Sequence, residues 1–244
     1  MNNYDHIAPI YSIDMGANMT FDDITYYVQI ANKNKGPTLE LGCGTGRILS
    51  KLIDAGIDAI GIDASLPMLC HAKGECAPST GLLQMDIRAI ALRSHFKLVL
   101  MPYSLCTYLL SDSDWQRCAD GIRAALTPGG HVLLDAFIPQ PQSGDGHWRR
   151  DYARHSTTGW LVRHSRIQQC TGGTNIIERR YRLHGSFDGY TLQTKERIRP
   201  FSPEQLQVLG ERYFGPLVQI DYDYQTDAIR NRNARFCTAL FALK

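Results

Sequence analysis

The chain has 244 residues, 43% of them hydrophobic, with 26 Lys and Arg against 24 Asp and Glu, for a formal net charge of +2. Such a chain can bury the core of one large domain, or of a domain with a cap, which argues against intrinsic disorder. The near balance of charge argues against a nucleic-acid binder, whose footprint is a concentrated basic face. The short basic runs Trp148-Arg149-Arg150 and Arg230 to Arg235 read as solvated surface.

Seven cysteines, an odd number with no CxxC pair, read as reduced thiols of a cytoplasmic protein rather than a disulfide framework or zinc site. No basic segment followed by an apolar run stands at the start, so no secretory leader is expected. No apolar run approaches the ~18 residues that span a bilayer.

In chain order, Phe21, Ile24, Tyr27, Val28 and Ala31 recur at helical spacing and predict an amphipathic helix over 21–32. From 37 to 135, strand-like and helix-like segments alternate: 38–41, 48–55, 59–62, 67–73, 81–85, 96–101, 114–125 and 131–135. That alternation predicts a parallel sheet with helices on both faces. Ser65 and Ser111 stand where N-caps belong, with Pro67 in one first turn and Asp112 and Asp114 in the other. Residues 139–157, rich in Pro, Gly, Ser and charge, read as a long loop. Three alternating runs follow, around 160–164, 177–183 and 190–198, with turns at Gly172-Gly173 and from Gly185 to Gly189, and predict a three-stranded antiparallel insertion. Ser202-Pro203-Glu204-Gln205 fits a capping box with proline at N1, for a helix ending near Gly210. Residues 217–222 and 236–243 close the chain as two strands.

The most specific feature lies at the first strand: Leu39-Glu40-Leu41-Gly42-Cys43-Gly44-Thr45-Gly46-Arg47. An apolar strand runs into glycines at alternate positions and then a helix, and Asp63 ends the next apolar run. Glycines let the backbone approach an adenosine, and an acid on the second strand suits the ribose hydroxyls. The dinucleotide fingerprint GxGxxG would place its third glycine at position 47, which is Arg47. The GxGxG spacing therefore counts against a nicotinamide or flavin cofactor.

At these residues the chain resembles the class I S-adenosylmethionine-dependent methyltransferases. The resemblance implies a doubly wound, Rossmann-like, seven-stranded α/β sheet. It implies an N-terminal lid over 1–35, a cofactor-binding core over 36–138, an antiparallel β cap over 139–200, and a final helix with edge strands over 201–244. Glu40 to Gly46, with Gly42, Cys43 and Gly44 between them, would contact the methionine end of S-adenosylmethionine. Asp63 and Ala64 would hold the ribose, Met68 would lie behind the adenine, and Asp86 and Ile87 would meet its edge. Met101 would end the fourth strand beside the cofactor, and Tyr11 would fold over it. No metal is implied.

The acceptor is expected beyond the carboxyl ends of the strands. Tyr4, Tyr103, Tyr108, Trp115 and Trp148 are the aromatic candidates for binding it, since aromatic faces suit flat or cationic ligands. His6 and Asp135 are the candidate general bases. Leu100-Met101-Pro102-Tyr103 keeps only the last proline and the aromatic of the motif that nucleic-acid amino-methyltransferases carry there. The expected activity is methylation of a nitrogen on a small planar heterocycle or amine in secondary metabolism, similar in outline to toxoflavin-type and aminosugar N-methyltransferases. The expected partners are a small-molecule acceptor, with no nucleic acid and no membrane, for a monomer or homodimer. The alternatives are O-methylation of a phenol or carboxylate, with His6 as base, and a non-catalytic protein that binds the cofactor.

Overall fold

The computed structural model describes residues 3–140, 145–156, 159–185, 190–227, 230 and 232–243. Two helices, α1 (Asn3–Asn18) and α2 (Asp23–Asn34), precede the first strand. The central run is β1 (Thr38–Leu41), α3 (Arg47–Asp54), β2 (Ala59–Asp63), α4 (Leu66–Glu75), β3 (Gly81–Gln84), β4 (Phe96–Met101), α5 (Asp112–Ala125) and β5 (Leu126–Phe137). A second sheet follows, from β6 (Arg149–Ser156), β7 (Gly159–Cys170), β8 (Thr174–Gly185) and β9 (Tyr190–Ile198). The chain closes with α6 (Pro203–Tyr213), β10 (Leu217–Tyr222) and β11 (Phe236–Ala242).

The main sheet has seven strands in the order β10-β11-β5-β4-β1-β2-β3. The pairs among β1 to β5 are parallel, and β11 runs antiparallel to both β5 and β10. This is the expected doubly wound, Rossmann-like architecture. Its strands read as continuous apolar runs because both faces are covered. Val99, Met101 and Leu134 join the core with α5 and α6, while Leu98, Leu100 and Leu133 join the core with α2 and α3. The strand order reverses between β1 and β4, which opens a crevice at their carboxyl ends.

The caps follow the sequence closely. Ser65 Oγ accepts from Met68 N–H, and Ser111 with Asp114 and Ser202 with Gln205 form reciprocal capping boxes. Two expectations change. Helix α6 runs through Gly210 to Tyr213, and the glycine is there for packing: a methyl at 210 would overlap the ring of Phe241 on β11. The insertion has four strands in the order β6-β7-β8-β9, because 149–156, expected as part of a loop, pairs along β7. Strand β6 is an edge whose described side chains are mostly exposed, while Tyr152 packs inward, so it carries no apolar alternation to read. The expected turn from Gly185 to Gly189 lies mainly outside the described residues.

Helix α1 bridges the two sheets. Asp5 accepts from Ser65 Oγ at 2.7 Å, which docks it on the start of α4. Asp14 accepts from Tyr152 Oη at 2.5 Å, Arg163 Nη1 at 2.7 Å and Tyr181 Oη at 3.1 Å, which docks it on the second sheet. Among the described residues no helix is long and apolar enough to cross a membrane.

Candidate active site

The turn after β1 places Gly42, Gly44 and Gly46 at φ of 63°, 56° and 84°, a region that side chains beyond hydrogen disfavour. Cys43 N–H donates to Ile62 O at 3.0 Å, tying this turn to β2. Asp63 at the end of β2 accepts from Gly44 N–H at 2.9 Å and from Ser65 N–H at 2.8 Å. Burial raises its pKa above the usual carboxylate range, and those two N–H groups act in the opposite direction. The carboxylate is thus held rigidly at the crevice, with lone pairs left to accept from hydroxyl groups.

A cavity of about 440 Å³ opens here, within the range of small-molecule sites. At one end its wall includes Gly42, Gly44, Asp63, Ala64 and Met68, with Asp86 and Ile87 beyond β3. Asp86 is braced by Arg88, whose side-chain hydrogen bonds lower its pKa. The same wall carries Tyr4, Tyr11, Tyr103 and Tyr108. Tyr11 lies over the glycine turn: a Cβ built on Gly44 would stand 3.7 Å from its ring. The rings of Tyr4 and Tyr11 meet edge-on at 6.2 Å, as do those of Tyr4 and Tyr108.

The other expected site residues lie elsewhere. Glu40, Cys43 and Gly46 stand behind the cavity wall. Cys43 fills the space that Gly61 leaves, and Gly46 gives room to Cys76 and Ala72 of the α4 region. Met101 is fully buried in the core. Trp115 is a correction: it is wholly buried between Phe201 and Tyr213, joining α5 to α6, and cannot reach a ligand. Trp148 lies just before β6, with Arg166 and Arg180 of the second sheet over its ring. His6 is exposed and off the cavity wall.

Asp135 is buried beneath the site rather than facing it, with its pKa raised to about 6 by burial. Its Oδ2 accepts from Tyr27 Oη at 2.5 Å, Tyr224 Oη at 2.8 Å and Tyr103 N–H at 2.7 Å. Tyr103 and Ser104 both hold positive φ, at 50° and 62°, a conformation costly for residues with side chains. Asp135 anchors that turn, and Phe137 N–H donating to Ser104 Oγ at 2.8 Å secures its second half.

Part of the cavity wall escaped the sequence reading. Arg88, Leu105 and Lys195 also line the cavity, as does Glu196, which is only 5% exposed. Glu196 had a legible signal: it falls on the apolar side of β9 with Leu192, Thr194 and Ile198, where a charge is out of place unless it has partners. Glu40, expected at the methionine end of the cofactor, is buried two residues before Gly42, and its Oε2 has no hydrogen-bond partner among the described residues. On the cavity wall itself, the open cradle at Gly44 and the Asp63 carboxylate are the features a nucleoside ligand would use.

Residues 38–130 match the family model described as a methyltransferase domain. The chain is 29% identical over 135 residues to a putative methyltransferase, YqeM, of Bacillus subtilis, which covers 54% of each chain. It is 27% identical over 132 residues to the dTDP-3-amino-3,4,6-trideoxy-alpha-D-glucopyranose N,N-dimethyltransferase of Streptomyces venezuelae, covering 54% of this chain and 55% of that one. It thus spans about half the length of these curated relatives in the match. Its fold superposes on an S-adenosylmethionine-dependent methyltransferase from Clostridium acetobutylicum with a TM-score of 0.80 at 15% identity, over 99% of both chains. Residues 38–130 thus match a methyltransferase domain, and the chain as a whole has the fold of S-adenosylmethionine-dependent methyltransferases.

Proposed function

We propose that this protein transfers a methyl group from S-adenosylmethionine to a nitrogen of a small molecule, a planar heterocycle or an amine, in secondary metabolism. One observation carries the reading: the glycine cradle with Asp63 and the tyrosines line a single continuous cavity. The N,N-dimethyltransferase likeness over the shared half of the chain supports the choice of nitrogen.

Asp63 would hold the ribose, with Met68, Asp86 and Ile87 around the adenine and Gly42 and Gly44 against the tail. Bound there, S-adenosylmethionine supplies an electrophilic methyl group on a positively charged sulfur. Tyr11 covers the glycine turn, and α1, clamped through Asp5 and Asp14, excludes water from above. Orientation and desolvation of this kind are worth several kcal/mol without a dedicated acid–base pair. The turn that Asp135 anchors presents Tyr103 to the acceptor. The reading includes a cytoplasmic setting, no nucleic-acid partner and a monomer or homodimer.

O-methylation would need a deprotonating group in the mouth. His6 is off the cavity wall, so Lys195 or Glu196 is the residue that reading would have to use. The test is calorimetric binding of S-adenosylhomocysteine, followed by transfer of tritiated methyl to a panel of heterocycles and amines. Binding with transfer to a nitrogen is the expected result. Absence of binding refutes the reading, and binding without transfer across the panel favours a non-catalytic cofactor-binding protein.

A further inference from the structure

The basic side chains are segregated in a way that the net charge of +2 conceals. Residues 145–199, which span the second sheet, hold eleven Lys and Arg against five Asp and Glu, a net of +6. The rest of the chain therefore carries −4. In an antiparallel sheet, directly opposed residues share a face and successive ones alternate between faces. On the face toward α1, Leu161, Tyr181 and Leu192 are buried and the charges are matched. Arg163 pairs there with Asp14 and Asp151, and Arg179 with Glu196.

The outer face has no such balance. Register places Arg150, His164 and Arg180 in one row across β6, β7 and β8. Arg182 is two positions along β8, and Arg166, Glu178 and Lys195 form a further row, with Arg197 beyond. Within these strands six cations thus meet one carboxylate, Glu178, which Arg166 holds at 2.5 Å. At the rim, Asp145 is taken by Arg149. Arg150, Arg180 and Arg182 are exposed and form no ion pair among the described residues. Opposed like charges weaken a sheet left to itself, so this row costs stability unless something acidic covers it.

The chemistry of the face selects its occupant. Five of the six cations are Arg, whose planar fork takes a carboxylate through two hydrogen bonds where Lys offers a point charge. The Trp148 ring fixes two of them, with Arg180 at 4.1 Å and Arg166 at 5.0 Å from its centroid. Trp160, 51% exposed beside His155, is with Arg the kind of residue that anchors protein interfaces. A nucleic-acid strand would need rings free to stack on successive bases, and Trp148 is already covered. A bilayer surface would need several apolar side chains to insert, and among the described residues Trp160 is the one large apolar side chain exposed on this face. A second copy placed face to face would bring like charges together.

We propose that the outer face of the second sheet docks a protein partner bearing clustered Asp and Glu side chains. Arg150, Arg180 and Arg182 supply the charge and Trp160 the anchor. Lys195 and Arg197 belong both to this face and to the cavity wall, so the partner sits beside the mouth of the site. A small charged molecule is not the occupant, because the cations are spread over four strands rather than gathered round one point.

The test is fluorescence anisotropy with labelled poly-L-glutamate of about twenty residues, on the full chain at about physiological salt, where only partly desolvated charge pairs escape screening. The same measurement is made with an oligothymidylate of equal length and with phosphatidylcholine vesicles containing phosphatidylserine. The wild type is expected to bind polyglutamate at least threefold more tightly than oligothymidylate, and not to bind the vesicles. Arg150→Glu with Arg182→Glu should weaken polyglutamate binding by about tenfold or more, and Trp160→Ala by about threefold. Lys33→Glu with Lys51→Glu, the same charge change on α2 and α3, should alter it less than twofold. If the Arg150 and Arg182 pair of reversals prevents folding, Arg182→Gln is read instead, with an expected loss of about threefold. No polyglutamate binding by the wild type overturns the proposal, as does equal weakening by the two double variants. Tighter binding of oligothymidylate or of vesicles overturns it in favour of a nucleic acid or a lipid surface.

Discussion

Glu40→Gln is expected to stabilise the protein increasingly as pH rises. Glu40 is 2% exposed in the central strand β1, and its Oε2 has no hydrogen-bond partner among the described residues. Burial raises its pKa from 4.5 to about 8, with nearby Arg47, itself paired to Asp23, acting in the opposite direction. A carboxyl whose pKa is higher in the folded state binds a proton more tightly there. Its favourable contribution is complete below the unfolded value and is lost as pH climbs through the folded one. Between about pH 5 and 8 the wild type should therefore lose about 1.4 kcal/mol per pH unit relative to the glutamine variant. The gap accumulated by pH 7 is on the order of 3 kcal/mol. The amide NH₂ inherits an unpartnered buried position, which offsets about 1–3 kcal/mol uniformly across pH. Urea unfolding of both proteins at half-unit intervals from pH 5 to 9 reads the difference directly. A gap that stays constant with pH would refute the buried, proton-binding carboxyl.

Asp63→Ala should weaken S-adenosylhomocysteine binding by more than tenfold in calorimetry, from loss of a charge-assisted hydrogen bond worth about 1.5–3 kcal/mol. Equal affinity would remove the ribose contact from the account. Asp135→Ala leaves two buried tyrosine hydroxyls and Tyr103 N–H without their acceptor, and should cost on the order of 3–5 kcal/mol in urea unfolding. In the surviving folded fraction kcat should fall while cofactor affinity is kept, because the Tyr103 turn lies on the acceptor side. Gly210→Ala should lower the melting temperature through overlap with Phe241, by about 1–3 kcal/mol at roughly 2–4 °C per kcal/mol, with no change in cofactor affinity. A melting temperature equal to wild type would mean that α6 and β11 can move apart freely.

What the chain's own order of residues determined was local and periodic. Alternating apolar runs and helical stretches specified the doubly wound sheet, Ser111 and Ser202 specified where two helices start, and the GxGxG spacing with Asp63 specified an adenosine cradle. Each of these depends on neighbours within one turn, one strand or one βαβ unit, so a linear pattern carries them. Packing between distant segments decided the rest. Tyr103 and Trp115 are both aromatics that follow β4 in the chain, yet Tyr213 of α6 stacks on buried Trp115 while Asp135 anchors the turn from which Tyr103 lines the cavity. Strand β6 has no alternation because it is an exposed edge, and it became visible only through its pairing with β7. Hydrogen bonds join Tyr4 to Tyr108 and Tyr108 to Glu196, residues 104 and 88 positions apart. The strength of a buried charge depends on which groups surround it in space, and sequence spacing does not record that.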